Sequence, residues 1–370
     1  MRDAIVFSGW RWETFNVPER IALALSLLGM KVLYSENPAS LFRHREREVR
    51  EVENGIFGFG PRFFGHRLNS IPFMPDLQAN FLVRQILEHV ERLQLRHPIV
   101  VYPNMGQLLP VCQQLKNKGF PLVFVCLDFP SPVLEEHVRI SDKALVIPKA
   151  GFHRLKAKFG EKVYLIPQSV RLPDLDPASA SNNGRNVPSD LEQIPPPRLG
   201  YLGVPQDRLN LQVLGSLLRS HPEWHFVSFG TEKCVDLPNV HILAWRTQRE
   251  LPDLIAGLDI GFMPYDCSSD MNFFCAPLKT FDYFAAGLPV VATPIVHLWD
   301  YEELIYFGDT PDELAEAATK ALEEAPDSPK KMKRMAIAGD HSVENLSRLL
   351  ASLLNSGSGT IQGAGHQNLR

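Results

Sequence analysis

Lys279 and Asp282 are the residues of this chain whose types and spacing most clearly suggest chemistry. They lie in the segment CAPLKTFDYFAAGLPVVATP, residues 275–294, whose pattern predicts a helix followed by a valine-rich strand. If Pro277 is the first helical residue, the two polar side chains share one helix face and Ala276 is a poor N-cap. A lysine in the first turn also opposes the helix dipole. A phosphate would relieve both conflicts, whereas the alternative is a surface ion pair between Lys279 and Asp282.

Two other charged residues follow predicted strands and could reach the same site. Arg208 comes after RLGYLG, and Gly203 in the same loop would let the backbone approach a ligand closely. Asp128 ends the run LVFVCLD and could act as a base or orient a hydroxyl group. The alternatives are that Arg208 merely opens a helix at 207–219 and that Asp128 has a capping or turn role.

Two loops offer candidates for recognising a nucleobase. The sequences FGTEK and AWRTQ follow strands that should end at the same edge of a sheet. They supply Gly230, Thr231, Trp245 and Arg246. Trp245 could stack on a base, while a tryptophan packed in the core is the alternative.

The elements that must position these residues alternate between short apolar strands and helical patterns. The runs AIVFS, KVLYSENP, IVVYPN, LVFVCLD, ALVIP and KVYLIP precede a second series, RLGYLG, HFVSFG, VHILAW, DIGFMPY and PVVATP. Continuous apolar strands of this kind are typical of parallel sheets covered on both faces. The sequence therefore predicts an α/β fold of two Rossmann-like, doubly wound domains that face each other across a cleft.

A stretch rich in Pro, Ser, Asn and Asp separates the two series and reads as a linker. The last strong helical pattern, DHSVENLSRLLASLL, lies beyond the second sheet and could pack back on the first domain. The predicted parts are an N-terminal domain at 1–170, a linker at 171–197, a second domain at 198–338, the C-terminal helix at 339–356 and a disordered tail at 357–370.

Composition excludes several classes of protein. The 370 residues are too many for one ordinary core, and a net charge of −4 argues against a general nucleic-acid binder. The five cysteines form no C-x-x-C pair, which indicates reduced thiols and a cytoplasmic location. The N-terminus has no long apolar core like that of a signal peptide, and no run approaches the roughly 20 apolar residues of a membrane span.

The sequence predicts no metal site. Its only D-x-D motif, at 174–176, lies inside the proline-rich linker and is interpreted as turn chemistry. The histidines show no spacing typical of metal ligands. Positive side chains such as Lys279 and Arg208 would then have to neutralise a bound anion.

The segment APLKTFDYFAAGLPVVATP resembles the donor-binding segment of glycosyltransferases with the GT-B fold, which is often P-L-K-x-x-E-Y-x-A-A-G-x-P-V-V. The resemblance extends to the stretches that begin RLGYLGVPQDRLN and LPNVHILAWRTQ, and in outline to PERIALALSLLGMKVLYSENP. It covers most of residues 1–350 and is stronger in the C-terminal half. In that family the C-terminal domain binds a nucleotide-diphosphate sugar and the N-terminal domain binds the acceptor.

The resemblance assigns roles to residues of the second domain. The family's P-L-K corresponds to Pro277, Leu278 and Lys279. Asp282 stands where an acid, usually glutamate, commonly hydrogen-bonds the ribose, and Arg208 matches an arginine that can lie near the diphosphate.

Two positions depart from the family pattern. Phe274 occupies the place of a second glutamate that contacts the donor sugar in many retaining relatives, and Val213 that of a lysine. The donor sugar therefore cannot be deduced from the motif.

On the acceptor side, the resemblance points to the loop SGWRWETFN after the first strand. Gly9, Trp10, Trp12 and Asn16 could line an acceptor pocket, or form a hydrophobic staple around the first helix. The segment 57–75 mixes aromatic residues with Arg62, His66 and Arg67. It could rest on a membrane surface and admit a lipid-linked acceptor, while a mobile acceptor loop is the alternative.

The resemblance implies a retaining glycosyltransferase with a nucleotide-diphosphate sugar as donor, no metal and no other cofactor. A glycan, a glycolipid or another hydroxyl compound would be the acceptor, as in the synthesis of cell-surface polysaccharide. Two alternatives stay open. One is a nucleotide-sugar epimerase on the same architecture, and the other is a non-catalytic protein that binds a nucleotide sugar or a glycan.

Overall fold

A computed structural model describes residues 2–14, 16–40, 48–64, 73–172, 187–204, 208–229 and 234–355. Within them the chain forms two α/β domains. The first is built on a sheet of eight strands and the second on a sheet of six. The fold class predicted from the alternating strands and helices is confirmed.

The first domain holds ten strands and five α-helices in its described residues. The strands are β1 Ala4–Phe7, β2 Val32–Ser35, β3 Ala39–Ser40, β4 Arg50–Glu53, β5 Ile56–Phe59, β6 Arg62–Phe63, β7 Ile99–Pro103, β8 Leu122–Cys126, β9 Lys143–Val146 and β10 Val163–Leu165. The helices are α1 Val17–Leu27, α2 Met74–Arg92, α3 Leu109–Asn117, α4 Leu134–Ile140 and α5 Lys149–Phe159, with 3-10 turns at Gly106–Leu108 and Gly160–Lys162.

The main sheet of this domain has the order β10-β9-β8-β7-β1-β2-β5-β4, and β3 pairs separately with β6. Its strands run parallel except for the antiparallel pair β4 and β5. Along β1, Ile5 and Phe7 pack into one apolar cluster while Ala4 and Val6 pack into another. Both faces of the sheet are therefore covered, which is why its strands read as continuous apolar runs.

The second domain repeats this pattern with shorter strands. They are β11 Arg198–Gly200, β12 His225–Phe229, β13 Val240–Leu243, β14 Ile260–Met263, β15 Val290–Ala292 and β16 Ile305–Phe307. The helices are α6 Ser189–Glu192, α7 Leu211–Ser220, α8 Leu251–Ala256, α9 Asp270–Phe273, α10 Lys279–Ala285, α11 Pro311–Leu322, α12 Pro329–Asp340 and α13 Val343–Asn355, with 3-10 turns at Gln248–Glu250 and Val296–Tyr301. The sheet order is β13-β12-β11-β14-β15-β16, with every pair parallel.

The last helix, α13, packs on the first domain. Leu346 and Leu350 belong to the apolar cluster that contains Ile21 and Leu25 of α1. Burying one leucine side chain contributes roughly 1.5–3 kcal/mol, so this contact ties the end of the described chain to the first domain.

Part of the predicted linker packs with the second domain. Leu191 of α6 and Ile194 lie in the apolar cluster of that domain. The remainder of the linker at 173–186, which includes the D-x-D motif, and the tail at 356–370 lie outside the described residues. The domain boundaries stay predictions.

Candidate functional site

A cavity of about 360 Å³ lies between the two domains, where strands of both sheets end. Asp128 follows β8, Gly203 follows β11 and Trp245 follows β13. The carboxyl ends of parallel strands meet at one edge of a sheet, so two such edges facing each other form this cleft. Of the residues predicted from sequence, those lining it are Trp10, Asn16, Asp128, Gly203, Arg208, Trp245, Arg246, Pro277, Leu278, Lys279 and Asp282.

Lys279 lines the cleft beside two aromatic rings. Its Nζ lies 3.7 Å from the centre of the Tyr201 ring and 5.6 Å from that of Tyr265, and it donates to the Tyr265 hydroxyl at 3.3 Å. A ring face attracts a cation without neutralising it. Within the described ranges Lys279 forms no ion pair, so its positive charge is available to bind an anion.

The helix that carries Lys279 starts later than predicted. α10 begins at Lys279 itself, and its N-cap, Leu278, provides no side-chain cap. The N–H groups of Thr280 and Phe281 bond to the carbonyls of Pro277 and Leu278, three residues back, which makes a tight turn before the helix. The prediction that Pro277 is the first helical residue is therefore wrong. Since α10 has 7 residues, the lysine side chain carries most of the positive charge at this point.

Asp282 pairs with the first domain and not with Lys279. The Nη2 of Arg20, on α1, donates to its Oδ1 at 3.1 Å, and the two side chains are 1% and 4% exposed. The alternative of a surface pair with Lys279 is wrong because Asp282 is buried. Burial raises the pKa of Asp282, while Arg20 and then Lys279 act to lower it.

Arg208 and Asp128 form an ion pair across the cleft. Nη2 of Arg208 donates to Oδ1 of Asp128 at 3.0 Å, and Nη1 donates to Oδ1 of Asn272 at 3.3 Å. α7 begins at Leu211, where Asn210 caps it, so the alternative that Arg208 opens this helix is wrong. The pair is partly exposed, at 28% and 40%, and a ligand can reach it.

Trp245 lies at the cleft with 49% of its surface exposed. The alternative of a tryptophan packed in the core is therefore wrong. Arg246 also lines the cleft but forms an ion pair with Asp190, which compensates its charge. Gly230 and Thr231 lie outside the described residues.

The loop after β1 divides its residues between the cleft and the core. Trp10 lines the cleft and is 47% exposed, whereas Trp12 is 7% exposed and meets the Tyr34 ring edge-on at 5.0 Å. The prediction that Trp12 faces the cleft is wrong because this contact turns the ring into the core. Gly9 does not line the cleft either, since it packs near the Met105 side chain.

Asn16 has a structural role at the start of α1. Its Oδ1 accepts from the N–H of Glu19 at 2.9 Å and from the Tyr34 hydroxyl at 3.2 Å. Asn16 also lines the cleft, so the residue that caps α1 is at the same time part of the cavity wall.

Sequence reasoning missed several residues of the cleft. Tyr201, Tyr265 and Gln168 line it, and Cys275 lies beside them with a pKa raised by burial to about 12. Tyr201 directly follows β11 and Tyr265 lies two residues after β14, so the rule that sites form at strand ends could have found them. Arg20 carried no such signal, because an arginine within a helix usually faces solvent.

A second, open depression of about 530 Å³ lies outside this site. It is lined by residues of the second domain such as Glu302, Tyr306 and Glu313. Among the described residues, no group of three or more His, Cys, Asp or Glu side chains is arranged to hold a metal ion. In the same ranges, no helix is long and apolar enough to cross a membrane.

Comparison with known proteins agrees with this architecture. The family described as "Glycosyl transferase-like" matches residues 208–349. The chain is 28% identical over 195 residues to TuaH of Bacillus subtilis (strain 168), which is named as a "Putative teichuronic acid biosynthesis glycosyltransferase". That match covers 48% of this chain and 47% of the relative, so the chain spans about half the length of the curated relative it matches.

Solved structures match nearly the whole chain. An alpha,alpha-trehalose-phosphate synthase (UDP-forming) from Burkholderia vietnamiensis has a TM-score of 0.67 at 13% identity, with 96% of this chain and 100% of that chain covered. Trehalose-6-phosphate synthase from E. coli bound with UDP-2-fluoro glucose has a TM-score of 0.61 at 11% identity, with 96% and 99% covered. The chain has the GT-B fold, as its sequence predicts.

Proposed function

We propose that this protein is a glycosyltransferase that moves a sugar from a nucleotide-diphosphate sugar to a hydroxyl group of a glycan or glycolipid, with retention of configuration. The observation that carries the proposal is the Lys279 ammonium group. It lies in the cleft between the two domains and has no ion-pair partner in the described part of the chain.

The proposed chemistry requires positive charge where the leaving diphosphate develops negative charge. Lys279 supplies it from one wall, and Arg208 supplies more once the phosphate replaces Asp128 as its partner. Gly203, with a φ of 150°, lies close enough that an added Cβ would stand 3.4 Å from the Lys279 Nζ. In other enzymes, removing one such preorganised group costs roughly 3–4 kcal/mol of transition-state stabilisation. We propose on this basis that no metal takes part in the chemical step.

The nucleoside and acceptor would occupy opposite parts of the same cleft. Asp282 would accept hydrogen bonds from the ribose, and the exposed Trp245 would stack on the base. On the first domain, Trp10 would contact the acceptor and Asp128, when released from Arg208, would orient its hydroxyl. The name of TuaH, which refers to teichuronic acid biosynthesis, supports a cell-surface polysaccharide as the product.

A lipid-linked acceptor would bring the protein to a membrane surface, and we propose peripheral contact through the segment 57–75. At its described end, Phe73 is 66% exposed, and Leu77 one turn further is 45% exposed. Exposed aromatic and aliphatic side chains are typical of segments that lie in a membrane interface. Co-sedimentation with anionic lipid vesicles tests this contact, and a protein that stays in the supernatant would contradict it.

Calorimetric titration with UDP, GDP, ADP and their glucose conjugates tests the proposed function. UDP is the first probe because a structure of the same fold holds UDP-2-fluoro glucose. We expect one diphosphate to bind, and its sugar conjugate to be consumed with release of that diphosphate when an acceptor glycan is added. Binding without any sugar release would favour a non-catalytic binding protein. No binding of any nucleotide at millimolar concentration would contradict the proposal.

A further inference from the structure

Arg20 carries a charge that is buried on a helix of the first domain. It lies on α1 among Ile21, Ala22 and Leu25, and it is 1% exposed. Removing charges from water is costly, and a buried ion pair often stabilises a protein no more than apolar side chains would. Arg20 donates to Asp282, which belongs to the other domain and lines the cleft. The pair therefore indicates that Arg20 acts on the cleft more than it stabilises the apolar core.

The geometry leaves half of the Asp282 carboxylate available. Oδ1 accepts from Arg20 at 3.1 Å, whereas no described residue donates a hydrogen bond to Oδ2, and Asp282 is 3% exposed where it lines the cleft. When a hydrogen bond fixes one oxygen of a carboxylate, the other oxygen accepts hydrogen bonds from a defined direction.

Arg20 also controls the charge of this carboxylate. Burial raises the pKa of Asp282, and Arg20 opposes that effect more strongly than Lys279 does. Two other titratable groups lie near the pair. Burial raises the pKa of Tyr283, on the same helix as Asp282, well above its ordinary value, and it raises the pKa of Glu19, beside Arg20 on α1, to about 7 although Arg20 acts to lower it. Without Arg20, the carboxyl group would hold its proton to a higher pH and would accept hydrogen bonds less well.

We propose that Arg20 is a positioning residue for the nucleoside half of the ligand, because it orients Asp282 to accept hydrogen bonds from the vicinal hydroxyl groups of a ribose. The inference rests on the proposed function. Since Arg20 belongs to the first domain and Asp282 to the second, the complete ribose site exists only when the two domains are together. Nucleoside recognition is thereby linked to domain closure.

The experiment compares UDP with inorganic pyrophosphate as calorimetric probes of the full chain. For Arg20→Met we expect UDP to bind about tenfold more weakly, the usual scale for loss of a charge-assisted hydrogen bond, while pyrophosphate affinity stays the same. Arg20→Lys should recover part of the loss. The UDP affinity of Arg20→Met should also fall as the pH is lowered from about 8 to about 5.5, more steeply than that of the wild-type protein. This extra steepness should vanish when Asp282→Asn is also present, which separates Asp282 from Glu19, whose pKa also lies in this range.

A double-mutant cycle with Asp282→Asn shows whether Arg20 acts through the carboxylate. In that background Arg20→Met should change UDP affinity little further. Arg334→Met, which removes another buried arginine ion pair that does not line the cleft, is the matched control and should leave UDP affinity unchanged. Equal losses for UDP and pyrophosphate, or an undiminished loss in the Asp282→Asn background, would overturn the inference. If Arg20→Met does not fold, Arg20→Lys decides by the same comparison.

The two proposals fail in different ways. If the wild-type protein binds none of UDP, GDP or ADP, the proposed function is wrong. If it binds one of them and Arg20→Met leaves that affinity and its pH dependence unchanged, only the role of Arg20 is wrong.

Discussion

Lys279 is the residue on which the anion site depends most directly. Its ammonium group lies over the Tyr201 ring and, within the described chain, pairs with no acid. We expect Lys279→Ala to weaken the binding of UDP and of pyrophosphate by about tenfold or more, because a charge-assisted contact to phosphate is lost. Uridine, which has no phosphate, should bind the variant and the wild-type protein alike. Calorimetry with the three ligands measures the difference.

The matched control is Lys330→Ala. Lys330 also lies over a tyrosine ring, with its Nζ 4.2 Å from the centre of Tyr306, but it is not part of the cleft lining. Its removal should leave all three affinities unchanged. Equal weakening of uridine and UDP by Lys279→Ala would mean that the lysine is not at the phosphate.

The residue types in the sequence predicted most of the residues that line the cleft, but not the ion-pair partners of its charged side chains. Lys279, Arg208 and Trp245 line the cleft as predicted, since each lies either in the loop after a recognisable strand or at the start of a helix. The pairing of Asp282 with Arg20 joins residues 262 positions apart. No local pattern encodes such a contact, because it exists only after both domains have folded and met.

At the scale of elements, the second domain depends on how α12 is anchored. Arg334 of this helix is fully buried, forms an ion pair with Glu324 and donates to the Gly287 carbonyl at 3.1 Å. We expect Arg334→Ala to lower the free energy of unfolding by about 3–5 kcal/mol, because Glu324 would be left as an uncompensated buried charge. Urea denaturation at neutral pH measures this loss, and an exposed pair such as Lys320 with Glu316 provides the control.

The pH dependence of this effect follows from Glu324. Burial raises its pKa, but hydrogen bonds from Arg334, Ser328 and Tyr306 outweigh burial and hold the pKa below its ordinary 4.5. A carboxyl group with a lowered folded-state pKa contributes stability above its unfolded-state value and loses it as the pH falls. The gap between wild type and Arg334→Ala should therefore shrink below about pH 4.5. A gap that stays constant to about pH 3 would contradict the assignment.

Elements were easier to predict than their ends and the direction of loop side chains. The helical period and the turn residues of the sequence predicted α10, but the tight turn at Pro277 and Leu278 moves its start to Lys279. In the loop after β1, Trp10 and Trp12 look equivalent in sequence. The structure separates them because Tyr34 on the neighbouring strand offers a ring for Trp12 alone.

At the scale of the whole molecule, the cleft is closed by contacts of unequal strength. The pair of Arg20 with Asp282 is buried, whereas Arg208 with Asp128 and Arg249 with Glu13 are exposed. Exposed pairs contribute only about 0–1 kcal/mol each, so a ligand can displace them readily. The sequence predicted two domains and a cleft between them. It could not predict which charges meet across that cleft.

The pair of Arg208 with Asp128 gives the molecule-scale prediction. In the described arrangement, the guanidinium group of Arg208 pairs with the Asp128 carboxylate and is therefore not free to bind phosphate. We expect Asp128→Asn to bind pyrophosphate a few-fold more tightly, because a competing anion is removed and the net charge of the cleft becomes more positive. The gain should diminish as salt is added, since the pair is partly exposed. Calorimetry at about 20 and 300 mM salt measures both effects.

The control for this prediction is the double variant Asp190→Asn, Glu250→Gln, which removes both carboxylates that pair with Arg246 at another part of the cleft. If the phosphate site lies at Lys279 and Arg208, freeing Arg246 should change pyrophosphate affinity less than freeing Arg208 does. The Asp128→Asn protein should nonetheless transfer sugar more slowly, because the carboxylate that orients the acceptor hydroxyl is gone. Tighter pyrophosphate binding with slower transfer would thus separate the two roles of Asp128. Unchanged or weaker binding would mean that Arg208 does not meet the phosphate.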